Sequence, residues 1–469
     1  MNNRKIALLM ACLLCIAVLF AGEKPKYVFL FIGDGMSTPQ RMVAEDFAAK
    51  TGHGEMAMNR LPYQVNTRTQ SSNAIITDSA AAATAIACGV KTDNCMIGVA
   101  PDGTPVASVA EVAKRSGRKV GIITTTTIMH ATPAAFYAHR KNRSEVYRIG
   151  LDLIGSGFDY FAGGGFDGKD NDRRDRKYCG SIYTLAQKAG YTVATNRAAW
   201  AALRPGEKAL CTFAPKHLEF EIDRDPAQQP SLAELLAKGI EVVDGPAGFF
   251  IMCEGGTVDF SAHANDAATN LRDILALDDA VKIALAFAAK HPAETLIITT
   301  GDHETGGLSM GFAGTGGKFY VERLAGQNCS TEMFSKMIKS MLRANINLRF
   351  DEVRPLVAAK FGLVFDGAAA GPMKVTPEEV ETLKKALDID RSYIRRRLAD
   401  TTAHDVKRRY VFASAACSVL AAHAGVGWSS SKHTALPTFT TAQGPSAEIL
   451  VGMMENADIG ARLKKLLAP

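Results

Sequence analysis

The sequence predicts an α/β protein, and three observations carry that expectation. Apolar, strand-like runs stop abruptly at glycine and acidic residues: Tyr27 to Ile32 before Gly33-Asp34-Gly35, Phe249 to Cys253 before Glu254-Gly255-Gly256, and Thr295 to Thr300 before Gly301-Asp302-His303. Helix-forming stretches alternate with them, of which Ala80-Ala81-Ala82-Ala83-Thr84-Ala85 is the plainest, because alanine is the strongest helix former. Acids and histidines then recur at the C-terminal ends of the strands, which is where α/β sheets place their ligand sites.

Taken in order, the glycines around Asp34 let the backbone turn and leave the carboxylate at the end of its strand, although Gly-Asp-Gly alone is an ordinary turn. Asp78-Ser79 precedes the alanine run, so Ser79 falls at the mouth of a helix, where unpaired N–H groups and the positive dipole end favour an anion such as phosphate. A plain helix cap reads the same way in isolation. Further on, Glu254 is followed by Asp259 and then His263; the last two are one helical turn apart and can share a face and one metal. Asp302 and His303 are adjacent ligand types, and Ser431-Lys432-His433-Thr434 adds a distant histidine. Each segment alone has a dull reading as a turn or a solvated side chain. Their recurrence points to a metal centre, and the mixed oxygen and nitrogen donors suit zinc beside a harder cation such as magnesium.

With these motifs in this order, the chain from about Lys26 to its C-terminus resembles the alkaline phosphatase family. The resemblance extends to Cys88-Gly89-Val90-Lys91-Thr92 after the alanine helix, to His130-Ala131-Thr132-Pro133-Ala134-Ala135 followed by Arg143, and to Asp159-Tyr160-Phe161-Ala162-Gly163-Gly164-Gly165. It implies a three-layer sandwich with a large, mostly parallel central sheet flanked by helices, plus an inserted helical or irregular segment. It also implies roles: Ser79 the nucleophile, Arg143 the bidentate phosphate clamp, Asp78 the residue that steadies the clamp. One zinc would be held by Asp259, His263 and His433, and a second by Asp34, Asp302 and His303. A third ion, usually magnesium, would take Asp34, Thr132 and Glu254, with Asp34 bridging two sites. The implied activity is hydrolysis of small phosphate monoesters through a phosphoserine intermediate opened by zinc-activated water, and the implied assembly is a homodimer.

The chemistry of the residues agrees. A serine hydroxyl is a poor nucleophile at its free pKa and no Ser-His-Asp arrangement is evident, so metal coordination is its plausible activator. A planar guanidinium matches the equatorial phosphoryl oxygens. Two positions depart from the best-known bacterial pattern: His130 stands where that pattern has aspartate, and Phe260 where it has lysine. Other family members carry histidine at the first position. Both residues are expected to stand behind the third site's ligands, where an imidazole tilts the ion toward zinc or weakens magnesium, and where the missing lysine removes a cation near bound phosphate and speeds its release. A phosphodiesterase or sulfatase on the same scaffold is the competing enzyme reading, against which Arg143 argues; Ser79 argues against a catalytically dead binding protein.

Composition bounds the rest. The 469 residues are 47% hydrophobic, ample for one large α/β domain. Arg4-Lys5, the apolar run Ile6 to Phe20 and then Ala21-Gly22 have the layout of a signal peptide, so residues 1–21 are expected to leave and 22–469 to form the catalytic domain in the periplasm or outside the cell. The run is too short for a comfortable membrane span, and Leu9-Met10-Ala11-Cys12 is a poor lipoprotein site. Removal takes the formal charge from +6 to +4, spread over a large chain and no sign of nucleic-acid recognition. Seven cysteines then remain; Cys88 with Cys95 or Cys179 with Cys211 could pair, and Cys253 is the expected free thiol. Finally, 130 residues separate His303 from His433, which implies an insertion at about 310–425. There Thr376-Pro377-Glu378-Glu379 opens a helix continued by Val380, Leu383, Ala386 and Leu387, and Arg391 to Arg397 and Lys407-Arg408-Arg409 form basic patches.

Overall fold

The computed structural model describes residues 24–166, 178–365, 371–399 and 411–469; the expected leader and Lys407-Arg408-Arg409 lie outside the described residues. Eight strands come first in the chain: β1 (Tyr27–Gly33), β2 (Tyr63–Arg68), β3 (Lys119–Thr127), β4 (Tyr160–Gly164), β5 (Thr192–Ala194), β6 (Ala209–Thr212), β7 (Phe249–Gly255) and β8 (Thr295–Gly301). Four short ones follow, β9 (Glu304–Thr305), β10 (Leu308–Met310), β11 (Val426–Trp428) and β12 (His433–Thr434), and then β13 (Thr438–Gln443) and β14 (Met454–Glu455). The central sheet has ten strands in the order β14-β2-β13-β8-β1-β7-β3-β4-β6-β5. Only β13 runs against the others, pairing antiparallel with both β8 and β2.

Alternation along β1 explains the layers. Val28, Leu30 and Ile32 point to one face and Tyr27, Phe29 and Phe31 to the other, each set buried in a separate apolar cluster. The first face is covered by helices Ser79–Cys88, Val109–Arg115, Val146–Ser156 and Asn456–Leu467, and the second by Thr38–Thr51, Leu232–Val243 and Ala267–Ala288. The expected three-layer architecture is therefore what the chain adopts.

Between β10 and β11 the chain makes helices Thr331–Ala344, Phe350–Phe361, Pro377–Ala399 and Val411–Ala424, whose Phe334, Phe361, Leu383 and Phe412 join the second cluster. Helix Pro377–Ala399 opens on the anticipated cap, with Glu379 N–H donating to Thr376 Oγ1 at 3.2 Å and Thr376 N–H donating back to Glu379 Oε2 at 2.8 Å. Leu308 pairs with Trp428 and Met310 with Val426, so the segment leaves and returns through one antiparallel neck. Among the described residues no helix is long and apolar enough to cross a membrane.

The seven cysteines among the described residues are all free, so neither suggested disulfide forms. Cys88 is buried in the alanine helix while Cys95 is exposed, and Cys211 is buried in β6 while Cys179 is exposed. Burial pushes the Cys88 thiol up to about 12, which keeps it protonated and unreactive.

Candidate metal centre

Strand register builds the floor of the site. Gly33 of β1 is level with Gly255 of β7 and with Gly301 of β8, so Asp34 and Asp302 leave adjacent strands at the same height and Glu254 stands beside them on the third. The turn after β1 needs a glycine: Gly35 has φ +71°, and a Cβ there would meet Asp259 Oδ1 at 2.9 Å. Its N–H donates to Asp302 Oδ1 at 3.0 Å, tying the two carboxylate turns together.

Ser79 opens helix Ser79–Cys88, every residue of which is buried. The N-cap Asp78 accepts from Ala81 N–H at 3.0 Å through Oδ1 and from Cys95 N–H at 3.0 Å through Oδ2. Helix Asn456–Leu467 lies so close against it that a Cβ on Gly460 would reach Ile86 O at 2.5 Å, which requires a glycine there. Ser79 Oγ comes to 3.2 Å from His303 Nε2.

Three donor groups converge around it, each with ligand atoms mutually within 4.8 Å: Asp259 with His263 and His433, Asp34 with Asp302 and His303, and Asp34 with His130 and Glu254. Helix Thr257–His263 puts Asp259 and His263 on one face as the spacing predicts, with His263 Nε2 at 3.3 Å from Asp259 Oδ2. Antiparallel pairing of His433 with Thr305 brings in the distant histidine, and Glu304 holds that pairing by accepting from Thr434 Oγ1, from Gly307 N–H at 2.9 Å and from Gln40 Nε2 at 2.5 Å.

Hydrogen bonds fix which nitrogen faces inward. His263 Nδ1–H donates to Ser431 O at 2.8 Å and His433 Nδ1–H to Thr77 O at 2.9 Å. Their Nε2 lone pairs therefore meet at 3.2 Å beside a carboxylate. Such an arrangement of acceptors is repulsive unless a cation lies among them. In the second group Thr305 Oγ1 donates to Asp259 Oδ1 at 2.6 Å, so it accepts from His303 Nδ1 at 3.3 Å, and His303 Nε2 is turned to Asp34 Oδ1 and Asp302 Oδ2, each 3.3 Å away. Buried Asp34 Oδ1, Asp302 Oδ2, Glu254 Oε1 and His130 Nδ1 have no hydrogen-bond partner, a cost that coordination removes. Without a cation, burial and then the charge of Asp302 drive the Asp34 carboxyl well above the usual range, burial and then Asp259 do the same to Asp302, and burial drives the His303 imidazole well below its own. The donor set fits divalent metals.

Arg143 lies at the open side. Nη1 donates to Asp78 Oδ2 at 3.1 Å and Nη2 to His130 Nε2 at 3.1 Å. His130 turns its Nδ1 toward the third group, 3.7 Å from Asp34 Oδ2 and 3.8 Å from Glu254 Oε1. Thr132 Oγ1 donates to Asp34 Oδ2 at 3.3 Å, so both residues line the group. Phe260 packs edge-on against His130 with ring centroids 5.8 Å apart, which brings the two departures from pattern into contact. Sequence reasoning missed Thr124, Thr126 and Thr305, which orient Glu254 and Asp259; the threonine run at 124–127 was visible, but nothing in it distinguishes a carboxylate holder from a β-forming strand. It also missed His217, which packs on Phe260.

A ten-stranded α/β sheet carrying a helix-mouth serine, a guanidinium and three carboxylate-histidine groups at its C-terminal edge defines a metal-binding phosphomonoesterase. The chain belongs to the alkaline phosphatase family, whose model matches residues 25–468. It is 30% identical over 459 residues to the alkaline phosphatase of Schizosaccharomyces pombe, covering 93% of this chain and 80% of that one. In structure it is similar to the cold-active alkaline phosphatase of a psychrophilic Shewanella sp., with a TM-score of 0.78 and 25% identity over 94% of this chain and 100% of the other. It is also similar to a variant of the alkaline phosphatase of the Antarctic bacterium TAB5 that exchanges a histidine for glutamate and has Mg bound in the M3 site, with a TM-score of 0.62 and 25% identity over 95% and 98% of the two chains; an aspartate variant likewise has Mg in that site.

Proposed function

We propose that the protein hydrolyses small phosphate monoesters by transferring the phosphoryl group to Ser79 and then to water. The observation that carries this reading is the position of Ser79 Oγ, 3.2 Å from the inward-facing nitrogen of His303 at a helix N-terminus. One zinc would be held by Asp259, His263 and His433 and another by Asp34, Asp302 and His303, while Asp34, Glu254, Thr132 and His130 would hold a third ion, magnesium or zinc. When bound, such ions supply Lewis acidity that lowers the pKa of a coordinated hydroxyl and stabilises the departing oxygen. Magnesium in the M3 site of the TAB5 variants supports magnesium at a third site whose histidine is replaced by an acid.

The protein's own groups do the positioning. The helix mouth directs N–H groups and the positive dipole end at the phosphate. Arg143, braced by Asp78 through one N–H on Nη1, keeps further N–H groups for two phosphoryl oxygens. Burial of Asp34, Asp302 and His303 excludes water from the inner wall.

We further infer a homodimer and export to the periplasm or beyond. Exposed Val451 and Met453 lie just before the edge strand β14, and Tyr63 is exposed on its neighbour β2, an apolar edge that a second copy would cover. The layout of residues 1–21 supports export. The deciding experiment is an assay with a chromogenic monoester before and after chelation: activity should vanish with chelator and return with zinc plus magnesium. Activity indifferent to chelation would overturn the reading, while sedimentation and N-terminal sequencing of the secreted protein test assembly and export.

A further inference from the structure

We propose that Phe260 and His217 form an aromatic leaving-group subsite beside the clamp, which favours monoesters of flat aromatic alcohols over those of small aliphatic ones; the inference rests on the monoesterase reading above. Four rings run in a continuous line from Arg143. His130 touches the guanidinium at 3.1 Å; Phe260 meets His130 with planes at 88° and centroids 5.8 Å apart; His217 meets Phe260 at 5.4 Å and 70°; and Phe220 meets His217 at 5.9 Å. Phe220, 6% exposed, roots the line in the interior.

The line is fixed before a substrate arrives. His217 Nδ1–H donates to Leu218 O at 2.7 Å and its Nε2 faces Glu332 Oε2 at 3.8 Å, so the ring has little freedom to lose, and Phe260 is carried by the same short helix as Asp259 and His263. The inner wall of the site, Ser79, Asp34 and Asp302, is closed, whereas Arg143 and His217 keep 29% and 25% of their side chains exposed. The organic group of a clamped monoester must leave by the open side, where half-buried Phe260 and His217 offer ring surface. A flat ring packing there gains aromatic contact as well as area. An aliphatic group of three or four atoms reaches less of it.

The test compares kcat/KM for 1-naphthyl phosphate and glycerol 2-phosphate in the metal-loaded enzyme and in Phe260→Ala, Phe260→Leu and His217→Ala. Intrinsic reactivity cancels when each variant's aryl-to-alkyl ratio is divided by that of the parent. That ratio should fall about five-fold in Phe260→Ala and by less in Phe260→Leu, which keeps much of the apolar bulk but not the ring. Inhibition by phenylphosphonate should weaken by a similar factor relative to methylphosphonate. Equal losses for both substrates and both inhibitors overturn the subsite while leaving the monoesterase reading intact. A parent enzyme inactive on both esters overturns that reading instead.

Discussion

Arg143→Ala should separate monoesters from diesters. The side chain is 29% exposed and donates once to Asp78 and once to His130, each at 3.1 Å, so its terminal nitrogens retain N–H groups for two phosphoryl oxygens. A hydrogen bond to a charged group is worth about 1.5 to 3 kcal/mol, and partial exposure argues for the low end. Two such bonds to a dianionic monoester amount to about 3 kcal/mol, or roughly 150-fold in kcat/KM at about 1.4 kcal/mol per tenfold. A diester has one fewer free anionic oxygen and should lose one strong bond, roughly tenfold. The measurement is kcat/KM for 4-nitrophenyl phosphate and bis(4-nitrophenyl) phosphate in parent and variant, with zinc content checked in both. Equal factors for the two classes would refute the clamp and favour a diesterase.

Ser79→Ala should leave metal content unchanged while turnover drops by about three orders of magnitude or more, and acid-quenched labelled phosphate should no longer be trapped on the chain; label recovered on another residue would displace Ser79 as nucleophile. Chelation should make stability depend on pH. Because Asp34 and Asp302 are raised in the bare fold, native protein binds protons that the unfolded chain has released, and the stripped protein loses stability as pH rises above about 4. His303 is lowered and acts in the opposite sense, costing stability as pH falls below about 6.5. Above about pH 6.5 the His303 effect is spent and any slope the stripped protein still shows is that of the raised carboxylates, so the Tm gap between zinc-reloaded and stripped protein should not close as pH rises; a gap that narrows contradicts it. The double variant His130→Asp with Phe260→Lys should bind magnesium more tightly and be inhibited more strongly by phosphate, read by metal analysis and inhibition constants; unchanged values would show that neither residue tunes the third group.

Much of this was legible in the chain because the chemistry sits where strands end. Apolar runs with glycine at their C-terminal ends marked β1, β7 and β8 and with them Asp34, Glu254 and Asp302, and the i, i+4 spacing of Asp259 and His263 survived as one helical face. The register that levels Gly33, Gly255 and Gly301 could not be read, since it depends on long-range pairing. Nor could the return of His433, which is placed by two residues of β12 against β9 and by a carboxylate, Glu304, with no periodicity of its own. The cysteines illustrate a different limit: spacing in the chain allowed Cys88 to pair with Cys95, but a helix buried on all sides turns the Cys88 thiol to the Ala135 carbonyl instead.

His130 shows why the third group and the clamp cannot be considered separately. In the bare protein its Nε2 accepts from Arg143, which leaves Nδ1 carrying the proton and facing Asp34 and Glu254. If Nδ1 ligates a cation, the ring proton must move to Nε2, which then presents a hydrogen to the arginine instead of a lone pair. Arg143 loses one of its two braces and keeps Asp78, so the guanidinium is freer to turn toward phosphate. An aspartate in the same place has oxygens to spare: it can order a cation's waters and still accept from the arginine. With a cation on Nδ1, the exchange of aspartate for histidine would alter more than metal preference, because it would link occupancy of the third group to the orientation of the Arg143 guanidinium through a single imidazole.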